Sequence, residues 1–295
     1  MELSIIIVSY NTKDILKDCL SSIYETTKDI NFEVIIVDNA SIDGTENAIS
    51  NLNLQDKNLI YVQNKVNLGF SKANNIGIKK SKGRYVLFLN PDTKLHKETL
   101  KTMLSFMELN LRCGASTCKV LLPDGKIDDS CHRGFPTPWN SFTHFSGLAK
   151  IFPKSKMFNG YNLGNLDLSK THEIDAIAGS FMLVRRTAGE EVKWWDEDYF
   201  FYGEDLDFCF MLKQKGWSIF YNPEATITHL KGVSGGIKKI SKDITTADDK
   251  TKSLVTKWRF DAMRIFYKKH YEKEYPWVIT RLVYLGIYLK QFLSF

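Results

Sequence analysis

The sequence contains no C-x-x-C pair, and no secretory leader is expected from its first residues. Its five cysteines are an odd number, are scattered and form no C-x-x-C pair, so they indicate neither a disulfide framework nor a structural zinc site. The N-terminus runs directly into apolar residues without the basic region and cleavage site of a secretory signal, and a cytoplasmic location is expected. The cysteines are Cys19, Cys113, Cys118, Cys131 and Cys209.

The glycine-rich motifs of two large nucleotide-binding classes are also missing. No G-x-G-x-x-G follows the first apolar run, and G-x-x-x-x-G-K-[ST] does not occur. These absences argue against dinucleotide-dependent oxidoreductases and P-loop NTPases. The formal net charge is +6, with Lys and Arg gathered after Gly232, but no DNA- or RNA-binding motif accompanies it. No nucleic-acid partner is therefore expected.

Short apolar runs alternate with segments of helical spacing in the first half of the chain. Continuous β-branched runs indicate buried strands, and their alternation with helices indicates an α/β fold with a mostly parallel sheet flanked by helices. The predicted strands are 3–9, 33–37, 59–62 and 85–89, and the predicted helices are 13–24, 44–52 and 71–80.

Each of these predicted strands ends in polar residues. The polar tails are 9–11, 38–41, 64–69 and 90–92. Asp43 could cap a helix and Pro91 with Asp92 suits a turn, so a single tail could serve only the local backbone. In open α/β sheets, however, ligands bind beyond the carboxyl ends of the strands, so four such tails predict a binding site at this edge.

The second half of the chain is less regular. The prediction runs, in order, strand and turn 113–127, ligand-facing excursion 130–170, strand 174–186, helix 204–215, strands 217–221 and 225–229, mobile loop 232–252, and helices 257–271 and 277–292. We expect a catalytic domain over 1–231, with a nucleotide-binding half of about 1–112 and an acceptor half of about 113–231, then a mobile loop 232–255 and C-terminal amphipathic helices 256–295.

Several carboxylates at or after the ends of the predicted elements suggest ligand binding, metal binding and acid–base chemistry. Asp38 could accept hydrogen bonds from a base or ribose, and Asp92 is placed to bind a divalent cation, because hard cations take oxygen ligands and keep phosphates as partners. Glu204 and Asp205 could be first-turn helix carboxylates stabilised by the helix dipole, or a base at a helix start. Gly203 before them would allow close approach of substrate.

Seven segments occur in the order seen in one enzyme family. They are SIIIVSYNTKDILKDCLSSI, VDNASIDGT, NLGFSKANNIGI, LFLNPDT, AGSFMLVRR, YFFYGEDLDFCFML and HLKGVS. Over about residues 3–235 the set resembles the inverting glycosyltransferases of family 2, and within them the rhamnosyltransferase-like branch of bacterial surface polysaccharide synthesis. The resemblance implies the Rossmann-like GT-A fold and a nucleotide-sugar site.

The resemblance also implies roles for residues. For the nucleotide sugar they are Ser9, Tyr10 and Asn11 at the base pocket, Asp38 and Asn39 at the base or ribose, Asn67, Gly69 and Asn74 at the nucleotide and phosphates, and Gly179 and Ser180 near the sugar or acceptor. Asp92 and His229 would bind the metal, Asp205 would be the general base, and Glu204 would support or contact substrate.

A divalent cation, Mg²⁺ or Mn²⁺, is expected as cofactor, since both accept oxygen ligands with one imidazole. Asn90 stands where the commoner D-x-D motif has its first carboxylate, which could weaken metal affinity. By the same resemblance, Asp205 would deprotonate an acceptor hydroxyl that attacks the anomeric carbon in a single inverting displacement. Ser234, Lys238 and Lys239 could close over the phosphates as a lid, or could be a solvated basic loop.

The expected partners are a nucleotide-diphosphate sugar, with dTDP-rhamnose favoured and UDP-sugars next, and a glycan or lipid-linked acceptor. Two alternatives share the frame: a sugar nucleotidyltransferase, which would need a nucleoside triphosphate, and a non-catalytic glycan-binding module. A glycan-binding module would not need a general base and a metal site at one edge of the sheet.

The C-terminal run 277–295 is apolar and aromatic, but Arg281 and Lys290 interrupt it and it barely reaches the length needed to span a bilayer. An interfacial helix on the inner face of the cell membrane fits its aromatic anchors and basic flanks. A helix packed on the catalytic domain or on a second subunit of a homo-oligomer is the alternative.

Overall fold

The computed structural model describes residues 1–52, 58–232, 236, 245 and 247–294. The strands are β1 (Leu3–Ser9), β2 (Phe32–Asp38), β3 (Leu59–Gln63), β4 (Tyr85–Leu89), β5 (Thr93–Leu95), β6 (Cys113–Leu121), β7 (His172–Ile174), β8 (Phe181–Arg185) and β9 (Ser218–His229). The helices are α1 (Lys13–Thr26), α2 (Thr45–Ser50), α3 (Phe70–Lys80), α4 (Thr99–Leu109), α5 (Pro138–Phe145), α6 (Leu148–Ile151), α7 (Arg186–Glu191), α8 (Glu204–Gln214), α9 (Asp249–His270) and α10 (Trp277–Phe292). A 3-10 turn covers Asp129–Cys131.

The strands form one sheet in the order β3-β2-β1-β4-β8-β6-β9-β5, with β7 on β9. β1 to β4 are parallel, as predicted. The side chains of β1, β2 and β4 are almost all buried because helices cover the faces of this half, whereas those of the edge strand β3 are partly exposed. β8 then runs antiparallel to both β4 and β6, so the sheet is mixed beyond β4. The predicted α/β class with a central sheet and a C-terminal helix is confirmed.

Local patterns located the first four strands and α1 to α3 to within two residues at most ends. In the second half, two of the strand predictions are wrong, and the helices α5, α6 and α7 were not predicted. The single strand predicted over 174–186 is two, because β7 pairs with β9 whereas β8 lies between β4 and β6. The two strands predicted over 217–229 are one, β9, in which Pro223 falls where the register with β6 shifts. Proline is tolerated at such irregularities.

α4 and β5 were not among the predicted elements. The buried apolar residues of α4 recur at helical spacing, so the sequence contained the apolar pattern that predicts this helix. They are Leu100, Met103, Leu104 and Met107. β5 has three residues and pairs antiparallel with β9, matching Thr93 with His229. This short pairing is what brings the end of the Asn90-Pro91-Asp92 turn beside His229.

Of the two C-terminal helices, α9 packs against α8, and α10 packs against α9. α9 begins at Asp249, within the segment predicted as a mobile loop, because Asp248 Oδ1 accepts a hydrogen bond from Thr251 N at 2.7 Å. α9 meets α8 through Asp207, whose carboxylate accepts from Lys269 Nζ at 2.8 Å. α10 has its predicted bounds. Within the described ranges, no helix is both long enough and apolar enough to cross a membrane. The division into domains stays a prediction.

Candidate active site

Asp38 lies fully buried at the end of β2, paired in register with Ser9 of β1. Its Oδ1 accepts a hydrogen bond from Ser41 N at 2.7 Å, and its Oδ2 accepts one from the Tyr61 hydroxyl at 3.0 Å. Tyr61 lies on β3 and was not among the predicted site residues. A carboxylate has further lone pairs for a base or ribose, but its present bonds also fit a local structural role.

Asn39 ties the 64–69 segment to the end of β2. Its Nδ2 donates to Gly69 O at 3.1 Å, and its Oδ1 accepts from Asn64 Nδ2 at 2.9 Å and from Leu68 N at 3.3 Å. Asn67 Oδ1 accepts from Gly69 N at 2.9 Å. The tails of β2 and β3 are therefore brought together as predicted, and Asn39 shapes this segment.

Gly69 occupies a backbone position that requires glycine. Its φ of 84° and ψ of 172° lie in a region open essentially to glycine alone. A Cβ there would lie 2.6 Å from Phe200 O. Phe70 N donates to the same carbonyl at 2.7 Å, so the 64–69 segment is seated closely on the chain just before α8.

Four residues other than glycine at the predicted site have left-handed backbones. Asn11, Ala40, Tyr202 and Lys231 have φ of 53°, 68°, 74° and 61°. Asn11 Oδ1 accepts from Ile42 N at 2.9 Å, which joins the tails of β1 and β2. Such conformations cost free energy and concentrate at functional sites. They mark the same edge that the polar tails indicated.

The remaining nucleotide-site candidates make internal contacts or close approaches. Ser9 Oγ lies 3.0 Å from Thr12 Oγ1, and Asn74 Nδ2 donates to Phe70 O at 3.0 Å. A Cβ on Gly179 would lie 3.3 Å from the Phe70 ring, and Ser180 O accepts from Asn90 N at 3.2 Å. Tyr10 is half-buried. Ser234, Lys238 and Lys239 lie outside the described residues.

Asp92 and His229 lie together at the sheet edge, both about 5 to 6% exposed. His229 Nε2 is 3.2 Å from Asp92 Oδ1. Neither ring nitrogen of His229 has a partner with hydrogen-bond geometry among the described residues. Burial lowers the pKa of His229, but the charges of Asp92 and Asp128 outweigh it and raise that pKa to about 9. Without a metal the imidazolium compensates the buried carboxylates here, and a cation bound at Nε2 would replace its proton.

Asp128, which the sequence reasoning missed, stands on the other side of His229. Its Oδ2 is 3.4 Å from His229 Nδ1, and Lys231 Nζ donates to its Oδ1 at 2.5 Å. Burial raises the pKa of Asp128, but His229 and Lys231 lower it more, well below its usual range. Metal-ligating histidines typically direct their second nitrogen at a carboxylate in this way.

The pair Asp92 and His229 fits a divalent cation. Adjacent ligands of an octahedral ion with bonds of about 2.1 Å would stand about 3 Å apart, close to the observed 3.2 Å between Oδ1 and Nε2. No cluster of three or more His, Cys, Asp or Glu suited to a metal occurs in the part of the chain that the structure describes. Two protein ligands are compatible with Mg²⁺, which usually retains waters and substrate phosphates.

Glu204 and Asp205 open α8 directly after Gly203. Arg133, a second residue that the prediction missed, donates from Nη2 to Asp205 Oδ2 at 2.6 Å, with the two side chains 13% and 14% exposed. Glu204 is buried, and its Oε2 has no hydrogen-bond partner among the described residues. Burial, followed by the charge of Asp205, raises the pKa of Glu204. The two carboxylates are therefore different: Asp205 is paired with a cation, while Glu204 is biased toward its neutral form.

Tyr202 links the two acidic centres. Burial raises the pKa of its phenol to about 12; Arg259 lowers it, and Glu204, Asp205 and Asp92 raise it. Glu204, Asp205 and Asp92 are therefore all near enough to Tyr202 for their charges to affect its phenol. Arg259, on α9, brings a cation to it that the sequence did not single out.

An open α/β sheet with acidic side chains beyond the carboxyl ends of its strands is typical of enzymes that bind a ligand at that edge. Residues 4–191 match the family described as glycosyl transferase family 2. The chain therefore belongs to glycosyltransferase family 2, whose members are inverting, and is a hexosyltransferase.

Two curated relatives that this chain resembles are rhamnosyltransferases. Rhamnosyltransferase WbbL of Escherichia coli is 27% identical over 76% of this chain and 82% of its own. The N-acetylglucosaminyl-diphospho-decaprenol L-rhamnosyltransferase of Mycobacterium tuberculosis is 28% identical over 79% of this chain and 78% of its own. The fold is that of GalNAc-T7, crystallised with UDP, GalNAc and Mn²⁺: TM-score 0.60 and 15% identity over 92% of this chain, which spans 58% of that one.

Proposed function

We propose that this enzyme transfers rhamnose from dTDP-rhamnose to a glycan or lipid-linked acceptor in cell-surface polysaccharide synthesis, and that the transfer depends on a divalent cation. The names of the two curated relatives support the sugar, and a UDP-sugar is the next candidate for the donor. The GalNAc-T7 structure, with UDP and Mn²⁺, supports the combination of nucleoside diphosphate and metal.

The observation that carries the metal dependence is the buried pair of Asp92 and His229, with Oδ1 and Nε2 3.2 Å apart. Its two donor atoms have the separation that adjacent ligands of one ion require. Mg²⁺ or Mn²⁺ held there would neutralise charge on the diphosphate leaving group. Asp128 would hold the imidazole in place, as outer carboxylates do for metal-bound histidines.

For the donor, we assign the nucleotide to the joined tails of β1, β2 and β3. Asp38 would accept from the base or ribose, with Asn11 and the 64–69 segment beside it. Asn39 acts on this site by fixing the position of Gly69 O, at 3.1 Å, so its role is positioning. The predicted contacts of Ser9, Tyr10, Asn74, Gly179, Ser180 and Ser234 with the nucleotide sugar stay part of this proposal.

For catalysis, we assign Asp205 as the general base. Its Oδ2 accepts from Arg133 Nη2 at 2.6 Å and its Oδ1 accepts from Leu206 N at 2.8 Å, so the carboxylate is held in one orientation. The acceptor hydroxyl gives its proton to Asp205, its oxygen bonds to the anomeric carbon, and the bond to the diphosphate breaks with its electron pair on the leaving oxygen. One displacement inverts the centre and needs no covalent enzyme intermediate.

The test is calorimetric titration of the full chain with dTDP, UDP, GDP and the corresponding sugars, each with and without Mn²⁺ or Mg²⁺. We expect one nucleoside diphosphate to bind, dTDP first, with an affinity that rises on adding metal. Asp92→Asn should abolish the metal-dependent gain, whereas Asp14→Asn, an exposed carboxylate on α1, should not. Binding that metal leaves unchanged would refute the metal dependence, and binding of UDP or GDP alone would refute the dTDP donor.

A further inference from the structure

Two segments of the chain contain no acidic residue at all. Asp and Glu make up 34 of 295 residues, about one in nine, yet none occurs in 130–166 or in 275–295. The first segment carries Lys150, Lys154 and Lys156, and the second carries Arg281 and Lys290. Both segments are therefore cationic without local compensation.

The fold brings the two segments together. Lys290 Nζ, near the end of α10, lies 4.7 Å from the centroid of the Phe145 ring, the last residue of α5. α10 packs on α9 through one face, where Tyr284 contacts the Tyr267 ring at 5.6 Å and Thr280 Oγ1 lies 3.1 Å from the Tyr267 hydroxyl. Its opposite face is open, and none of its residues is buried.

The open face of α10 is apolar. Val278, Leu282, Leu285, Leu289 and Phe292 recur at helical spacing, and each is about half exposed or more. Soluble proteins seldom leave so long an apolar stripe uncovered unless something binds it.

The α5–α6 region continues this surface with further exposed apolar side chains. These are Trp139, Phe142, Phe145, Ile151, Phe152 and Met157. Exposed lysines at 150, 154 and 156 stand among them. We call the exposed face of α10 together with these α5–α6 residues the acid-free surface.

We propose that the acid-free surface docks the enzyme on an anionic lipid bilayer, with α5–α6 and α10 both inserted at the interface. Aromatic and aliphatic side chains rimmed by Lys and Arg are the composition of interfacial membrane-binding elements. In a dimer formed through the acid-free surface, the cations of one copy would face the cations of the other, which is unfavourable. The surface is thus complementary to anionic headgroups over a hydrocarbon boundary.

A chain of contacts connects this surface to the base. Arg133 pairs with Asp205, and the next residue, Gly134, donates from its backbone N to Tyr161 O at 2.9 Å. The Tyr161 ring lies 4.9 Å from that of His144, the neighbour of Phe145. The surface therefore lies on the side of Asp205. This placement suits an acceptor that a lipid holds in the bilayer and whose sugar hydroxyl must reach Asp205. That step of the inference rests on the proposed function.

The test is co-sedimentation of the full chain with vesicles of phosphatidylcholine, alone or with phosphatidylglycerol. We expect binding to the anionic vesicles that weakens as salt rises. Leu285→Glu with Leu289→Glu should weaken binding at least about tenfold, and Phe142→Glu should weaken it several-fold, since each loses apolar insertion. The matched control is Leu109→Glu with Leu111→Glu, two exposed leucines outside the surface, which should bind as the parent does.

Three outcomes would overturn the proposal. They are absence of vesicle binding by the folded parent, equal loss in the control pair, and a dimer by light scattering that the α10 variants dissociate. If Phe142→Glu binds normally while the α10 variants do not, the α5–α6 part of the surface is wrong. Thermal unfolding of each variant checks that it is folded. The co-sedimentation experiment contains no sugar donor. A lack of vesicle binding would therefore be independent of the result of the nucleotide titration.

Discussion

Gly69 should not tolerate a side chain, and the cost can be divided into two parts. Its φ and ψ of 84° and 172° cost a residue other than glycine about 1–3 kcal/mol. A Cβ would also lie 2.6 Å from Phe200 O and 2.9 Å from the Phe200 ring, and such overpacking costs about 1–3 kcal/mol more. Gly69→Ala should therefore lower the free energy of unfolding by about 2–6 kcal/mol.

Gly44 provides the matched control. Its φ is 83° in the ordinary left-handed region, and a Cβ there would meet nothing within 4 Å. Gly44→Ala should thus cost only the backbone term, about 1–2 kcal/mol. Urea unfolding followed by circular dichroism measures both values.

The same substitution should also affect ligand binding. Phe70 N and Asn39 Nδ2 hold the 64–69 segment through bonds of 2.7 and 3.1 Å, and moving Phe200 disturbs the first of them. We expect nucleoside diphosphate affinity to fall at least about tenfold in Gly69→Ala and to be retained in Gly44→Ala, by calorimetry. Equal unfolding free energies for the two variants would refute the predicted clash, and unchanged affinity would refute the placement of the nucleotide.

Three further outcomes follow from the carboxylates. Asp205→Asn should reduce kcat by at least about a hundredfold with donor affinity retained, measured by single-turnover transfer and calorimetry; normal turnover would rule out Asp205 as the base. Glu204→Gln should raise the free energy of unfolding by about 1–2 kcal/mol at pH 7. Because the pKa of Glu204 in the folded state is raised, the unfolding free energy of the parent falls as pH rises above about 4.5. The stabilisation by Glu204→Gln should therefore vanish below that pH, and a stabilisation that persists at pH 4 would contradict the raised pKa. Asp128→Asn should weaken Mn²⁺ binding about 10–100-fold, by electron paramagnetic resonance titration, while Asp129→Asn should not; equal effects would refute the orienting role.

The sequence by itself determined the first four strands, the helices α1 to α3 and one C-terminal helix. β1 and β4 have their predicted bounds, as does α10, because their apolar runs and helical spacing are local patterns that tertiary context did not override. The four polar tails lie at one edge of the sheet, as their strands predicted. Parallel strands with buried faces must all end at one side.

Only the tertiary structure decided which charges meet at that edge. Asp128 and Lys231 are 103 residues apart, and Arg133 and Asp205 are 72 apart, so no local pattern pairs them. The short strand β5 sets Asp92 against His229 by its register with β9. The apolar character of α10 was visible in the sequence, but its shared surface with α5 was not. Contacts between distant segments depend on how the sheet and helices pack, and that information is spread over the whole chain.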